Sequence, residues 1–154
     1  MPGHEVLAPL LPAGESLTED IDHSDVRPGA HDYCNVRVDK KVALAMEVSR
    51  QTAYADLKYA MDDYRNLEEV TLGGRVKSAG VGENGAIAWL RCEPKEGQPR
   101  SDAVSGRPYQ ALVVEFNVGD PDLVPEDPSG RRRDIGAFLR AYLPGLEKAW
   151  CAAG

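Results

Sequence analysis

The sequence has no long hydrophobic run, and this absence limits how the chain can meet a membrane. No window approaches the roughly 20 apolar residues that a transmembrane helix needs. Residues 1–4 are not followed by a basic segment and an apolar core, so we predict neither a signal peptide nor a transmembrane segment. We expect Met1 to be either a native start or the end left when a leader or anchor is removed.

The sequence also lacks an excess of basic residues. It has 18 Lys and Arg against 25 Asp and Glu, which gives a formal net charge of −7 and a pI near 5.0. Its one basic run, at residues 131–133, is short and follows an acidic stretch. Such a chain repels a phosphate backbone, so we expect no nucleic-acid partner.

Recognisable catalytic motifs are missing. There is no G-x-S-x-G elbow, and the three histidines, His4, His23 and His31, all lie near the N-terminus. His31 and Cys34 are three residues apart, which leaves a small hydrolase with a Cys–His pair as an alternative. We predict no catalytic residue and a non-enzymatic protein.

Metal and cofactor motifs are missing as well. His23, Asp25, His31 and Asp32 are acceptable ligand types, but no H-E-x-x-H or C-x-x-C spacing fixes them on a rigid element. Residues 80–85 match G-x-G-x-x-G by letter, yet a strand rather than a helix should follow them. We therefore predict no metal, no cofactor and a hairpin at these glycines.

Cysteine is scarce, with three residues at positions 34, 92 and 151. None forms a C-x-x-C pair, and each is expected at the end of a strand or helix, a position suited to tying elements together. The alternative is three small buried side chains in a cytosolic protein. We expect one disulfide, but the spacing does not say which cysteines form it.

The length and composition of the chain indicate one globular domain. The chain has 154 residues, of which 42% are hydrophobic and 28% charged, values typical of a single core. Residues 1–33 are expected to be an irregular arm, and residues 34–154 a single α+β domain. Alternating apolar residues predict strands at 34–38, 42–48, 86–92 and 109–118, with weaker strand patterns at 70–72 and 75–79.

Two helices complete the predicted fold. Tyr54, Leu57, Met61 and Tyr64 recur at spacings of three and four, which is typical of one helix face. A second helix should start after Asp127-Pro128 and run to the C-terminus. The order ββαβββα favours an antiparallel sheet of about five strands with both helices packed on one face.

Loops beside the strongest strand form the candidate recognition surface. These loops, Glu93–Pro108 and Gly119–Gly130, carry Arg100 and Arg107 and lead to Arg131. Trp89 is a further candidate, as a binding platform on an uncovered sheet face. The alternative for Trp89 is a core anchor.

The chain resembles uncharacterised extracytoplasmic domains of actinobacterial lipoproteins and tethered membrane proteins. The resemblance lies in residues 10–12, 34–39 and 86–92 and in a last helix ending at Cys151. It implies export and anchoring, a disulfide between Cys92 and Cys151, and no particular activity. The predicted function is thus extracytoplasmic binding of a protein partner or small ligand at the cell envelope. A cytosolic, immunity-type acidic protein that neutralises a basic partner is the alternative.

Overall fold

A computed structural model describes residues 4–23, 31–52, 56–98, 107–119 and 127–153 of the chain. The elements in these ranges are α1 (His4–Leu7), a 3-10 turn (Ala8–Leu10), β1 (Leu17–His23), β2 (His31–Val38), β3 (Lys41–Gln51), a second 3-10 turn (Leu57–Ala60), β4 (Glu68–Glu69), β5 (Val76–Val81), β6 (Gly85–Arg91), β7 (Ala111–Val118) and α2 (Pro128–Trp150). The seven strands form one antiparallel sheet in the order β1-β2-β3-β7-β6-β5-β4. None of the helices in the described ranges is both long and apolar enough to cross a bilayer.

The main core lies between one face of the sheet, here called the first face, and helix α2. Alternate residues of a strand point to opposite faces, so β7 directs Leu112, Val114 and Phe116 to this side. The edge of the Phe116 ring meets the Phe138 ring of α2, with ring centroids 5.1 Å apart. Leu10 of the N-terminal 3-10 turn is fully buried in the same cluster.

Helix α2 begins where the sequence predicts. The Asp127 carboxylate caps it by accepting hydrogen bonds from the backbone N–H groups of Ser129 and Gly130, at 3.3 and 3.0 Å. Pro128 occupies the first turn, where its missing N–H costs nothing. The predicted apolar stripe is buried against the sheet at Ile135, Phe138, Leu139, Leu143 and Leu146.

The opposite side of the sheet, the second face, carries a smaller core. Ile87, Trp89 and Val113 point to this side and are covered by the segment 57–67, here called the covering segment. Gly80 lets the covering segment approach closely, because a Cβ there would lie 2.9 Å from side-chain atoms of Leu57 and Leu67. The covering segment crosses only part of the second face.

Over the described residues 56–65 the predicted helix is absent, so the two-helix ββαβββα arrangement is wrong; Tyr54 lies outside the described residues. Strand β3 continues to Gln51, and the covering segment contains only one short 3-10 turn. Met61, placed on the predicted apolar stripe, is 50% exposed. The reason is that Asp62, Asp63 and Asn66 favour non-helical backbone, and Asn66 adopts a positive φ of 47°.

The predicted number of strands is also wrong, since the sheet has seven rather than about five. One additional strand, β1, lies within the expected N-terminal arm and pairs with β2 from Leu17↔Val38 to His23↔Asp32. The other is β4, with only two residues. Both strands are acidic and lie at the sheet edges, where charged side chains discourage unwanted strand pairing.

Two β-hairpins join neighbouring strands of the sheet, and the one at the glycine-rich run is predicted by the sequence. β2 and β3 are joined at Asp39 and Lys40, whose φ values of 48° and 69° suit the tight turns that fit sheet twist. The Asp39 carboxylate accepts hydrogen bonds from the backbone N–H groups of Ser16 and Glu15, at 2.9 and 3.0 Å. β5 and β6 are joined through residues 82–84, so the glycine-rich run lies in a hairpin as expected.

Candidate functional site

A pocket of about 300 Å³ opens on the second face beside the covering segment. Strands β2, β3 and β7 form one part of its lining, and the end of the covering segment forms the rest. A volume of this size suits a small ligand or a single side chain. The lining residues are Tyr33, Ala45, Met46, Glu47, Asp63, Tyr64, Glu115 and Asn117.

Two carboxylates lie opposite each other in this pocket. In the register of β3 and β7, Glu47 is the direct cross-strand partner of Glu115. Side chains of directly opposed residues share a face, with Cβ atoms about 5 Å apart. Both residues are half-buried, so water screens their charges less than on an open surface. The pair creates a strongly negative point on the sheet.

The covering segment adds an aromatic hydroxyl to the carboxylate pair. Tyr64 is 6% exposed, and its hydroxyl donates a long hydrogen bond of 3.5 Å to Glu115 Oε1. Burial, followed by the charges of Glu115 and Asp63, raises the pKa of the Tyr64 hydroxyl. The hydroxyl therefore stays protonated and remains a donor to Glu115. Asp63, at the exposed rim, adds a third negative charge.

This arrangement is suited to a cation. Glu47, Glu115 and Asp63 provide negative charge, and the exposed Tyr33 and buried Tyr64 provide aromatic rings. Ammonium and guanidinium groups interact favourably with both. Across the described ranges, no three His, Cys, Asp or Glu side chains group closely enough to hold a metal ion. The geometry thus fits an organic cation better than a metal ion.

Of the binding residues predicted from the sequence, the structure describes Arg107, Arg131 and Trp89, and none of these three lines the pocket. Arg100 lies outside the described residues, whereas Arg107 is exposed just before Pro108. Arg131 is only 5% exposed, and its guanidinium donates a hydrogen bond of 3.4 Å to the Glu83 carbonyl. Trp89 is 4% exposed beneath the covering segment, which matches the core-anchor alternative and leaves no open platform.

The cysteines are divided between a disulfide and a free thiol. Cys92 and Cys151 are bonded, as the resemblance implies. Cys34 is free and packs against the main core. Burial, followed by the charge of Glu19, raises the pKa of its thiol, so the reactive thiolate is disfavoured. The structure does not describe the side chain of His31, and Asp25 lies outside the described residues.

No protein-family model, curated protein or solved structure matches this chain. The resemblance to actinobacterial extracytoplasmic domains therefore stays a prediction. Neither Glu47 nor Glu115 is among the site residues predicted from the sequence. The available signal was a glutamate flanked by apolar residues in each of two strands, between Met46 and Val48 and between Val114 and Phe116.

Proposed function

We propose that this chain is a non-enzymatic, extracytoplasmic binding domain that holds an organic cation in the second-face pocket. The single observation behind this proposal is the direct opposition of Glu47 and Glu115 on neighbouring central strands. Like charges opposite each other destabilise a sheet. A bound ammonium or guanidinium group would reduce that repulsion.

The ionisable groups near the pocket and in the core support a binding role over a catalytic one. A general base or nucleophile works best with a pKa near the operating pH. Instead, burial raises the pKa of Tyr64 and of Cys34, which keeps both groups protonated. Neither is prepared to accept a proton or attack a substrate.

The compartment is proposed from the disulfide and the resemblance together. A disulfide persists in oxidising surroundings and is rare in the cytosol. The Cys92–Cys151 bond is therefore compatible with a protein of the cell envelope. A trimmed leader or anchor would bring the domain there.

Calorimetric titration at low ionic strength tests the proposal. The probes are tetramethylammonium, guanidinium, spermidine and a short lysine peptide, added to the unmodified protein and to Glu47→Gln and Glu115→Gln. We expect at least one probe to bind, and each substitution to weaken it by about tenfold or more, as loss of a charged hydrogen bond does.

Glu69→Gln is the matched control, because it removes the same charge from the exposed edge strand β4. The proposal fails if no probe binds, or if Glu69→Gln weakens binding as much as the pocket substitutions. Preference for the lysine peptide over the free cations would favour a basic protein partner, the alternative suggested by the net charge of −7.

A further inference from the structure

A second and larger cleft lies at the other end of the sheet, next to the disulfide. It has a volume of about 930 Å³. Its lining includes Lys77 of β5, Arg91 at the end of β6, and Ala152, which follows the disulfide-bonded Cys151. It shares no lining residue with the second-face pocket, so it is an independent feature of the molecule.

Two cations, Lys77 and Arg91, face this cleft. Lys77 sits at an irregularity in the pairing of β5 with β6, and Arg91 follows Leu90 on the neighbouring strand. Both side chains are exposed. Within the described part of the chain, neither forms an ion pair or a side-chain hydrogen bond. In a chain with more acidic than basic residues, two such cations on one cleft favour an anionic ligand.

The cleft is held open by fixed backbone. The disulfide ties Cys151 to Cys92, and the Ala152 N–H donates a hydrogen bond of 2.7 Å to the Glu93 carbonyl. The Arg75 guanidinium donates a further hydrogen bond of 2.5 Å to the Ala152 carbonyl. Pro94 and Pro108, with restricted backbones, complete the rim. A site shaped before binding loses little conformational entropy when a ligand enters.

We propose that this cleft binds a small organic anion through the Arg91 guanidinium and the Lys77 ammonium. The planar guanidinium can donate two parallel hydrogen bonds to a carboxylate or a phosphate group, while Lys77 adds a point charge. Glu93 lines the same cleft and repels anions, so the ligand's anionic group sits on the side of Lys77 and Arg91.

Titrations with succinate and with methyl phosphate, followed by amide chemical shifts, test this site. We expect the largest shifts at Gln110 and Ala152. Arg91→Gln should weaken binding by about tenfold or more. Lys77→Gln should weaken it by less, because only the Arg91 guanidinium can donate two parallel hydrogen bonds to the anion. The better of the two probes identifies the ligand class as carboxylate or phosphate.

Two further variants fix the location of the site. Glu93→Gln should strengthen succinate binding, because it removes a negative charge from the cleft. Lys41→Gln, which removes an exposed cation at the distant start of β3, should leave binding unchanged. The proposal is overturned if neither probe binds, if Glu93→Gln weakens binding, or if Lys41→Gln weakens it as much as Arg91→Gln does.

Discussion

Glu47→Gln is expected to stabilise the ligand-free protein, which is an unusual outcome for a substitution within a central strand. At a separation of roughly 5 Å, two unit charges repel by about 0.8 kcal/mol in water and by about 3 kcal/mol at an effective dielectric constant of 20. Favourable cross-strand pairs in sheets contribute only about 0.2–1 kcal/mol each, so we expect the penalty for a like-charged pair to lie near the lower of the two values. Because Glu47 is half-buried, we expect a gain of about 1 kcal/mol.

The assay is thermal unfolding at neutral pH without added cations. For a domain of this size, a gain of about 1 kcal/mol corresponds to roughly 2–4 °C in Tm. The gain should shrink in 1 M NaCl, where the screening length falls to about 3 Å. Glu115→Gln should give a smaller gain, since it also weakens the hydrogen bond from Tyr64.

Glu69→Gln separates local repulsion from the effect of net charge. It removes one negative charge from an exposed edge strand, so its effect on Tm should be close to zero. A lower Tm for Glu47→Gln, or a gain that persists in 1 M NaCl, would show that the two carboxylates do not repel each other. A bound cation would then have no like-charge repulsion to relieve in this pocket.

Two further predictions concern stability away from the pocket. Replacing both Cys92 and Cys151 with alanine should lower the free energy of unfolding by about 4 kcal/mol, because the disulfide closes a loop with a sequence separation of 59. Urea unfolding measures this loss, and a loss well under about 1 kcal/mol would contradict the prediction. Hydrogen bonds from the backbone N–H groups of Ser16 and Glu15 hold the pKa of the Asp39 carboxyl below its ordinary value of 3.8. The ionised Asp39 therefore stabilises the fold above pH 3.8, and this stabilisation is lost as the pH falls further and the carboxyl becomes protonated. Asp39→Asn should thus be less stable than the unmodified protein at pH 7, and the difference should narrow under acid; an equal difference at pH 2 and pH 7 would refute the assignment.

The parts of the fold that the sequence predicts correctly are those with several agreeing signals. Helix α2 combines a capping aspartate, a proline in the first turn and a long apolar stripe. Strands β6 and β7 are continuous and apolar because both faces of the sheet are covered at this point. In each case local preference and long-range packing favour the same structure.

The covering segment shows why the helix predicted around Leu57 to Tyr64 does not form. Leu57, Tyr64 and Leu67 have a spacing compatible with a helix, but here they are the places where an irregular chain touches the sheet. Apolar spacing alone does not distinguish these two cases over so short a stretch. The reverse error concerns β1, which is a strand although its acidic sequence lacks the apolar alternation that predicts one. It lies at the sheet edge and pairs with a single neighbour, β2.

The acidic pocket depends on information that no single segment contains. Alternation within β7 places Glu115 on the same face as Val113, and alternation within β3 separates Glu47 from the core residues Met46 and Val48. Neither pattern reveals that β7 lies between β3 and β6, or that the register puts the two glutamates opposite each other. A shift of one residue would separate the charges and move one of them into the main core. The sheet therefore fixes a repulsive pair at its centre, and a ligand that neutralises this pair would stabilise the register that brings the two glutamates together.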